Sequence, residues 1–275
     1  MKNELNIRRP SVAGQFYPDD PRQLRELISG FQIAAPAEKQ QALGCILPHA
    51  GYIYSGRVAA KTLAQVNIRD IVVLLGPNHS GIGPDFSLMP EGYWRTPFGD
   101  IEIDSGLSGL FLGSSKYLHA DYSAHLEEHS LEVELPLLQY FRKDFKIVPI
   151  TIKADGLDSL KALADDLAGV ITRHGLLNSI MFIASSDMTH YEPQQVAKKK
   201  DALAIKAMLS LNEDKLERTV RRSAISMCGF APVAVLLRAA RLLGAKRGRL
   251  IKYQTSGEES GDMSSVVGYA GITIT

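Results

Sequence analysis

Gly44-Cys45-Ile46-Leu47-Pro48-His49-Ala50-Gly51-Tyr52 opens a stretch that runs on through Ser55 to Val66. Its first four residues are a short apolar run stopped by Pro48, and Ser55 offers an N-cap for a helix over about 56–66. The order is strand, loop, helix. Residues 70–75, 146–152 and 179–185 are also apolar and partly β-branched, which reads as three more strands. Helical spacing covers 20–31, where Leu24, Leu27, Ile28 and Phe31 share a face, and also 131–141, 157–174, 193–211, 213–222 and 229–243. Residues 249–255 and 266–275 read as final strands. Strands alternating with helices predict an α/β fold. We expect a single domain over residues 1–275, with a central, largely parallel or mixed sheet flanked by helices.

The exception is residues 76–105, rich in Gly and Pro and holding the only Trp. A bare connection of that length is uncommon in a compact domain, so it should be functional or carry its own hairpin. Hydrophobic residues at 45% and charged residues at 22% allow both a sizeable core and a soluble surface. The 31 basic and 30 acidic residues nearly cancel, so no global field points to nucleic acid, a membrane or an acidic partner. Basic runs at 198–200 and 241–252 lack interleaved aromatic side chains and read as solvated faces. Only Cys45 and Cys228 are available as thiols, which suits a reducing, cytoplasmic compartment. The first residues lack the roughly 7–15-residue apolar core of a secretory signal. No apolar run of about 18 residues occurs, so membrane spanning is not expected.

Ligands of open α/β sheets bind beyond the carboxyl ends of the strands. Three such ends carry histidine: Pro48-His49, Gly76-Pro77-Asn78-His79-Ser80-Gly81, and Ser186-Asp187-Met188-Thr189-His190-Tyr191. Imidazole is the commonest metal ligand and titrates nearest neutral pH, so a convergent set suits metal binding, proton transfer or both. Gly51, Gly76 and Gly81 would let backbone approach a ligand closely. Cys228 precedes an apolar helix whose first amides would favour a thiolate, whereas Cys45 within a strand reads as structural. His125-Leu126-Glu127-Glu128-His129 fits the H-x-x-E-H pattern of inverzincin proteases. That site needs both histidines on one helical face. An N-cap at Ser130 would instead place them ahead of the helix.

Several of these runs together resemble the Memo family, also labelled protein B of the AmmeMemoRadiSam system. They are Arg9-Pro10 with Ala13 to Pro18, PHAGYIYSG from Pro48, LGPNHSG from Leu75, EHSLEVELPLLQ from Glu128, SSDMTHY from Ser185, and Cys228-Gly229. The resemblance implies a fold similar to class III extradiol dioxygenases. It implies a metal triad at His49, His79 and Cys228, with thiolate where the dioxygenases have a carboxylate. Such a set favours iron or copper and allows zinc. Dioxygenase activity does not carry over with the fold. Asp187 and His190 resemble the pair lining the same pocket, His190 moving a proton while Asp187 orients it or completes the metal's surroundings. Tyr52, Asn78, Glu128 and His129 are further pocket residues.

The expected function is that of a metal-binding, redox-related enzyme of unknown substrate. A noncatalytic protein binding a peptide or partner in the same cleft is the alternative, with Tyr52, Tyr54, Tyr93, Trp94 and Tyr191 as aromatic anchors. A metal-dependent hydrolase is a third reading. Partners would be a small molecule, a peptide, or a radical-SAM protein as the family label suggests. No nucleotide-binding glycine motif accompanies them.

Overall fold

The computed structural model describes residues 7–34 and 36–275. The reading of the amino terminus as lacking a secretory core extends over residues 1–6, which lie outside these. The first elements are β1 (Ile7–Arg8) and α1 (Pro21–Ser29), the helix started by Asp20, whose carboxylate accepts from the Arg22 and Gln23 amides. Residues 44–66 form β2 (Gly44–Leu47) and α2 (Gly56–Leu63). Ser55 stands at the cap position without capping: its Oγ donates to the Ala50 carbonyl at 2.8 Å and braces the loop instead.

β3 (Ile71–Pro77) leads into the long Gly- and Pro-rich segment, which holds β4 (Phe86–Leu88) and a hairpin of β5 (Tyr93–Thr96) and β6 (Gly99–Glu102). The hairpin and β1 make a separate three-stranded sheet. Next come α3 (Ser105–Ser114), β7 (His119–Ala120) and α4 (Ser123–Leu126). The helix expected over 131–141 is two helices, α5 (His129–Glu132) and α6 (Glu134–Phe141). Glu128 rather than Ser130 caps α5, accepting from the Ser130 amide at 2.8 Å. The chain continues through β8 (Lys146–Ile152), α7 (Leu157–Arg173), β9 (Ile180–Ser185) and β10 (His190–Glu192). Three helices follow, α8 (Gln194–Leu209), α9 (Glu213–Arg222) and α10 (Phe230–Leu242). β11 (Gly248–Thr255), α11 (Gly257–Ser260) and β12 (Val266–Ile274) close the order.

The large sheet runs β10-β12-β2-β9-β3-β8-β4-β7, with β11 also paired to β12. β2, β9, β3 and β8 are mutually parallel. β12 is antiparallel to both β2 and β11, and β4 to β8, so the sheet is mixed. The difference follows the connections. Parallel strands need a crossover, supplied by helices such as α7, which carries the chain from β8 to β9 on the other side of β3, whereas β11 and β12 are joined by the short α11 turn.

Successive side chains of a strand point to opposite faces. Cys45, Leu47, Val72, Leu74, Met181 and Ile183 pack with residues of α1, α2 and α6. Ile46, Val73, Leu75, Phe182 and Ala184 pack with α7, α8 and α10. Strands buried on both faces have no polar alternation, which is why β3 reads as an unbroken apolar run. Gly76 serves packing rather than a ligand, since a Cβ there would lie 2.6 Å from both Ser130 Oγ and Leu131 Cδ2 of α5. Among the described residues, no helix is long and apolar enough to cross a membrane.

Candidate metal centre

In the parallel pair β2 and β9, Leu47 lies opposite Ser185, so the loops after the two strands leave side by side. The His49 amide consequently donates to Asp187 Oδ1 at 2.9 Å. β3 delivers His79 from the adjoining strand end, and α5 presents His129 as its first residue. The rings of His79 and His129 stack with centroids 4.5 Å apart, while His49 meets them edge-on at 5.3 and 5.5 Å. One ring nitrogen from each of the three lies within 4.8 Å of the others, so the cluster can hold a metal ion. Cys228, just ahead of α10, places its Sγ 3.2 Å from His49 Nε2.

The neighbours fix which nitrogens face inward. Burial, together with His79, His129 and His190, holds the His49 pKa well below its usual value, so the ring is neutral. Its Nδ1 is 2.6 Å from Ser185 Oγ. That hydroxyl shares its proton between the Ser130 carbonyl at 2.7 Å and Glu134 Oε1 at 3.1 Å, and so accepts from the Nδ1–H of His49. Complete burial raises the Glu134 pKa well above its usual value, against the lowering effect of the Ser185 hydroxyl. His49 Nε2 is thereby left as the free nitrogen.

His79 is tied in a parallel way, with Glu128 accepting from its amide at 2.6 Å and its Nδ1 at 2.9 Å. Burial pushes the Glu128 carboxyl up, but His79 and the Ser130 amide outweigh it and bring the pKa down to about 2. Burial also lowers the pKa of His129 and keeps that ring neutral, its Nδ1 lying 3.6 Å from Glu128. Three imidazoles, two of them oriented from behind by a carboxylate and a hydroxyl, are a donor set that suits a metal ion.

A cavity of about 510 Å³ opens onto this cluster and is also lined by Phe16, Asp187, His190 and Tyr191. His190 Nδ1 is 2.8 Å from both the Met188 and Ser226 carbonyls, so it carries a proton there. Asp187 accepts from the His49 and Ala50 amides, while the His190 Nδ1 proton goes to backbone carbonyls. Burial pushes the Asp187 pKa up to about 6 against the His49 and Ala50 amides and His190.

The helix-start argument for a Cys228 thiolate does not hold for the protein alone. Burial and the Asp187 carboxylate raise the thiol pKa by more than the amides of Asp187, Gly229 and Cys228 lower it. The sulfur keeps its proton and donates to His49 Nε2. Gly229 is required at this approach, because a Cβ would lie 2.3 Å from the Ser185 carbonyl and Ser186 Cβ.

Residues 8–273 match the family described as Memo-like protein. The chain belongs to the Memo family. It is 42% identical over 274 residues to a MEMO1 family protein of Methanosarcina barkeri, covering 98% of this chain and 100% of the relative. To a MEMO1 family protein of Aquifex aeolicus it is 41% identical over 272 residues, 98% of this chain and 99% of the other. Its fold is similar to the crystal structure of an uncharacterized protein from Escherichia coli K12. The TM-score is 0.57 at 14% identity, with 86% of this chain and 100% of that one covered.

The remaining sequence expectations sort by position within the Memo fold. Tyr52 is buried away from the cavity wall and donates to the Val133 carbonyl at 2.6 Å. Asn78 caps its own loop, its Nδ2 donating to the Ile82 carbonyl and its Oδ1 accepting from the Gly81 amide. Trp94 is fully buried under the Arg8 guanidinium, Tyr54 and Tyr93 are half-buried, and Tyr191 is 77% exposed. The H-x-x-E-H pattern does not form one helical face. His125 lies in α4, buried against the Trp94 ring, and His129 begins α5.

Sequence reading of this Memo chain missed Ser185 and Glu134 behind His49, and Phe16, whose ring meets His129 at 5.0 Å. Glu128, Glu132 and Glu134 within an otherwise apolar run were the available signal, since buried carboxylates need partners.

Proposed function

We propose that this chain is a metal-dependent, redox-related enzyme that holds one transition-metal ion at His49, His79 and His129, with Cys228 as the adjoining sulfur donor. The supporting observation is the convergence of three imidazoles, two of them with Nδ1 already bound to Ser185 and Glu128. Imidazole with a thiol favours iron or copper over harder ions and also suits zinc. Such an ion would supply Lewis acidity and electron transfer at the cavity floor. His190 Nε2 faces a ligand in the cavity as the proton acceptor, with its Nδ1 proton shared between two carbonyls. Asp187 keeps the His49 backbone in place and lends negative charge beside Cys228. Two unpaired thiols suit a reducing cytoplasm.

A partner-binding role in the same cleft is favoured by one observation. Tyr191 of β10, which lines the cavity, and Ile53, from the loop after β2, are 77% and 62% exposed. Such a protein would keep its function in His49→Ala, and an enzyme would not.

The test is elemental analysis of untagged protein purified without oxygen, wild type beside His49→Ala, His79→Ala, His129→Ala and Cys228→Ala. Near-stoichiometric iron or copper, lost in all four variants, is the expected result. Retention in His129→Ala alone would reduce the site to two histidines and a thiolate. No metal after reconstitution with Fe(II), Cu(I) and Zn(II) would end the enzyme reading.

A further inference from the structure

A second cavity, of about 380 Å³, meets the centre from the other side, and His79 and Cys228 are the residues it shares with the first. It opens beyond the carboxyl ends of β3 and β8, at Pro77 and Ile152. The first cavity opens beyond β2 and β9, at His49 and Asp187. Together the two chambers occupy the crevice past all four parallel strands, where open α/β sheets bind their ligands. The volume is in the range of small-molecule pockets, roughly 300–1,000 Å³.

The chambers differ in chemistry. Asp187 and His190 give the first its proton-handling groups. The second has a floor of buried Ile152, Met227 and Ala231, with half-buried Val220 and Phe230 beside it. Its cations are engaged locally: Arg221 Nε donates to Glu217 Oε1 at 3.1 Å, and Lys153 Nζ donates to the Gly83 carbonyl at 2.8 Å. Asn78, spent on its own loop, offers no anchor there. Asp155, which is exposed, and Glu217 also line it, and His79 and Cys228 are the polar groups where it meets the first cavity.

We propose that this second chamber is a substrate subsite that seats the apolar body of a small carboxylate-headed molecule, its head against the His79–Cys228 wall. The choice of head rests on the metal reading. A cation bound beside His79 and Cys228 would make the inner end positive and draw an anionic head. The choice of body rests on the floor alone. Each methylene that enters such a floor should tighten binding about fourfold.

The test uses protein labelled with 13C at its methionine methyls, both zinc-loaded and metal-free, titrated with butanoate, hexanoate and hexan-1-ol. The Met227 signal is assigned from Met227→Leu, and zinc content is measured on the same samples. In the zinc-loaded protein, hexanoate should shift the Met227 methyl, bind more than tenfold tighter than butanoate, and outcompete the alcohol. Ala231→Phe and Val220→Phe, each filling the chamber, should abolish the shift while the other methionine signals report an intact fold. No response of Met227 to hexanoate, or one that persists in both filled variants, overturns the subsite. Equal binding of acid and alcohol with zinc bound overturns the assigned head. Failure to take up zinc would instead count against the metal reading, and a hexanoate shift lost in the filled variants would still uphold the chamber.

Discussion

Ser185 Oγ sits among three partners, with His49 Nδ1 at 2.6 Å, Glu134 at 3.1 Å and the Ser130 carbonyl at 2.7 Å. Because its one proton is shared between the carbonyl and Glu134, it must accept from the ring, and the tautomer of His49 follows. Ser185→Ala removes that acceptor. Loss of such an outer partner commonly costs about 10–100-fold in metal affinity. We expect a loss of that size in competition with a chromophoric chelator, and unchanged affinity would remove Ser185 from the site. At this scale His49 and His79 were legible because they follow apolar strands, a local signal. Ser185 and Glu134 were not, since their roles come from contacts 136 and 51 residues away along the chain.

The element that carries His129 is held from outside the sheet. Arg8, rather than the Arg9 singled out from the sequence, pairs with Glu132 and donates to the carbonyls of His125 at 3.0 Å and Glu128 at 2.9 Å. Glu132 also accepts from Tyr17 Oη at 2.6 Å and from the Ser11 and Val12 amides. Burial would raise the Glu132 pKa, but Arg8, Tyr17 and Ser11 hold it below its ordinary 4.5. The stabilisation it contributes is therefore full above about pH 4.5 and is lost as pH falls through the depressed folded value. Urea melts from pH 7 to pH 3 should show that loss in wild type and a flatter profile in Glu132→Gln. Equal slopes would mean that the carboxylate is not charged in the fold. Arg8→Ala, which strands the buried carboxylate, should cost about 3–5 kcal/mol in the same melts at pH 7. Most elements were legible from spacing. The division of 131–141 into α5 and α6 was missed although Pro136 announces it: its ring would clash with the Glu132 carbonyl four residues earlier, so the helix must restart.

For the whole molecule, a metal site drawing on residues 49, 79, 129 and 228 ties together segments from most of the chain. An ion that binds only the folded state adds about 2.7 kcal/mol at one hundred times its Kd. Metal-loaded protein should melt several degrees higher than chelator-treated protein, and His79→Ala should show no difference between the two. An equal shift in His79→Ala would place the ion elsewhere. The α/β class and the mixed sheet were legible at this scale, but the strand order was not. β2 lies between β9 and β12, partners set by long-range packing rather than by any property of Gly44–Leu47. The pairing has a consequence for biosynthesis. Cys45 pairs with Ile183 and Thr273, so β2 leaves the ribosome at least 138 residues ahead of either neighbour. At about 5–20 residues per second, that is on the order of ten seconds as an apolar strand with both edges open. The nascent chain must shield it through that interval, and His49 cannot take its place beside Ser185 until β9 has been made.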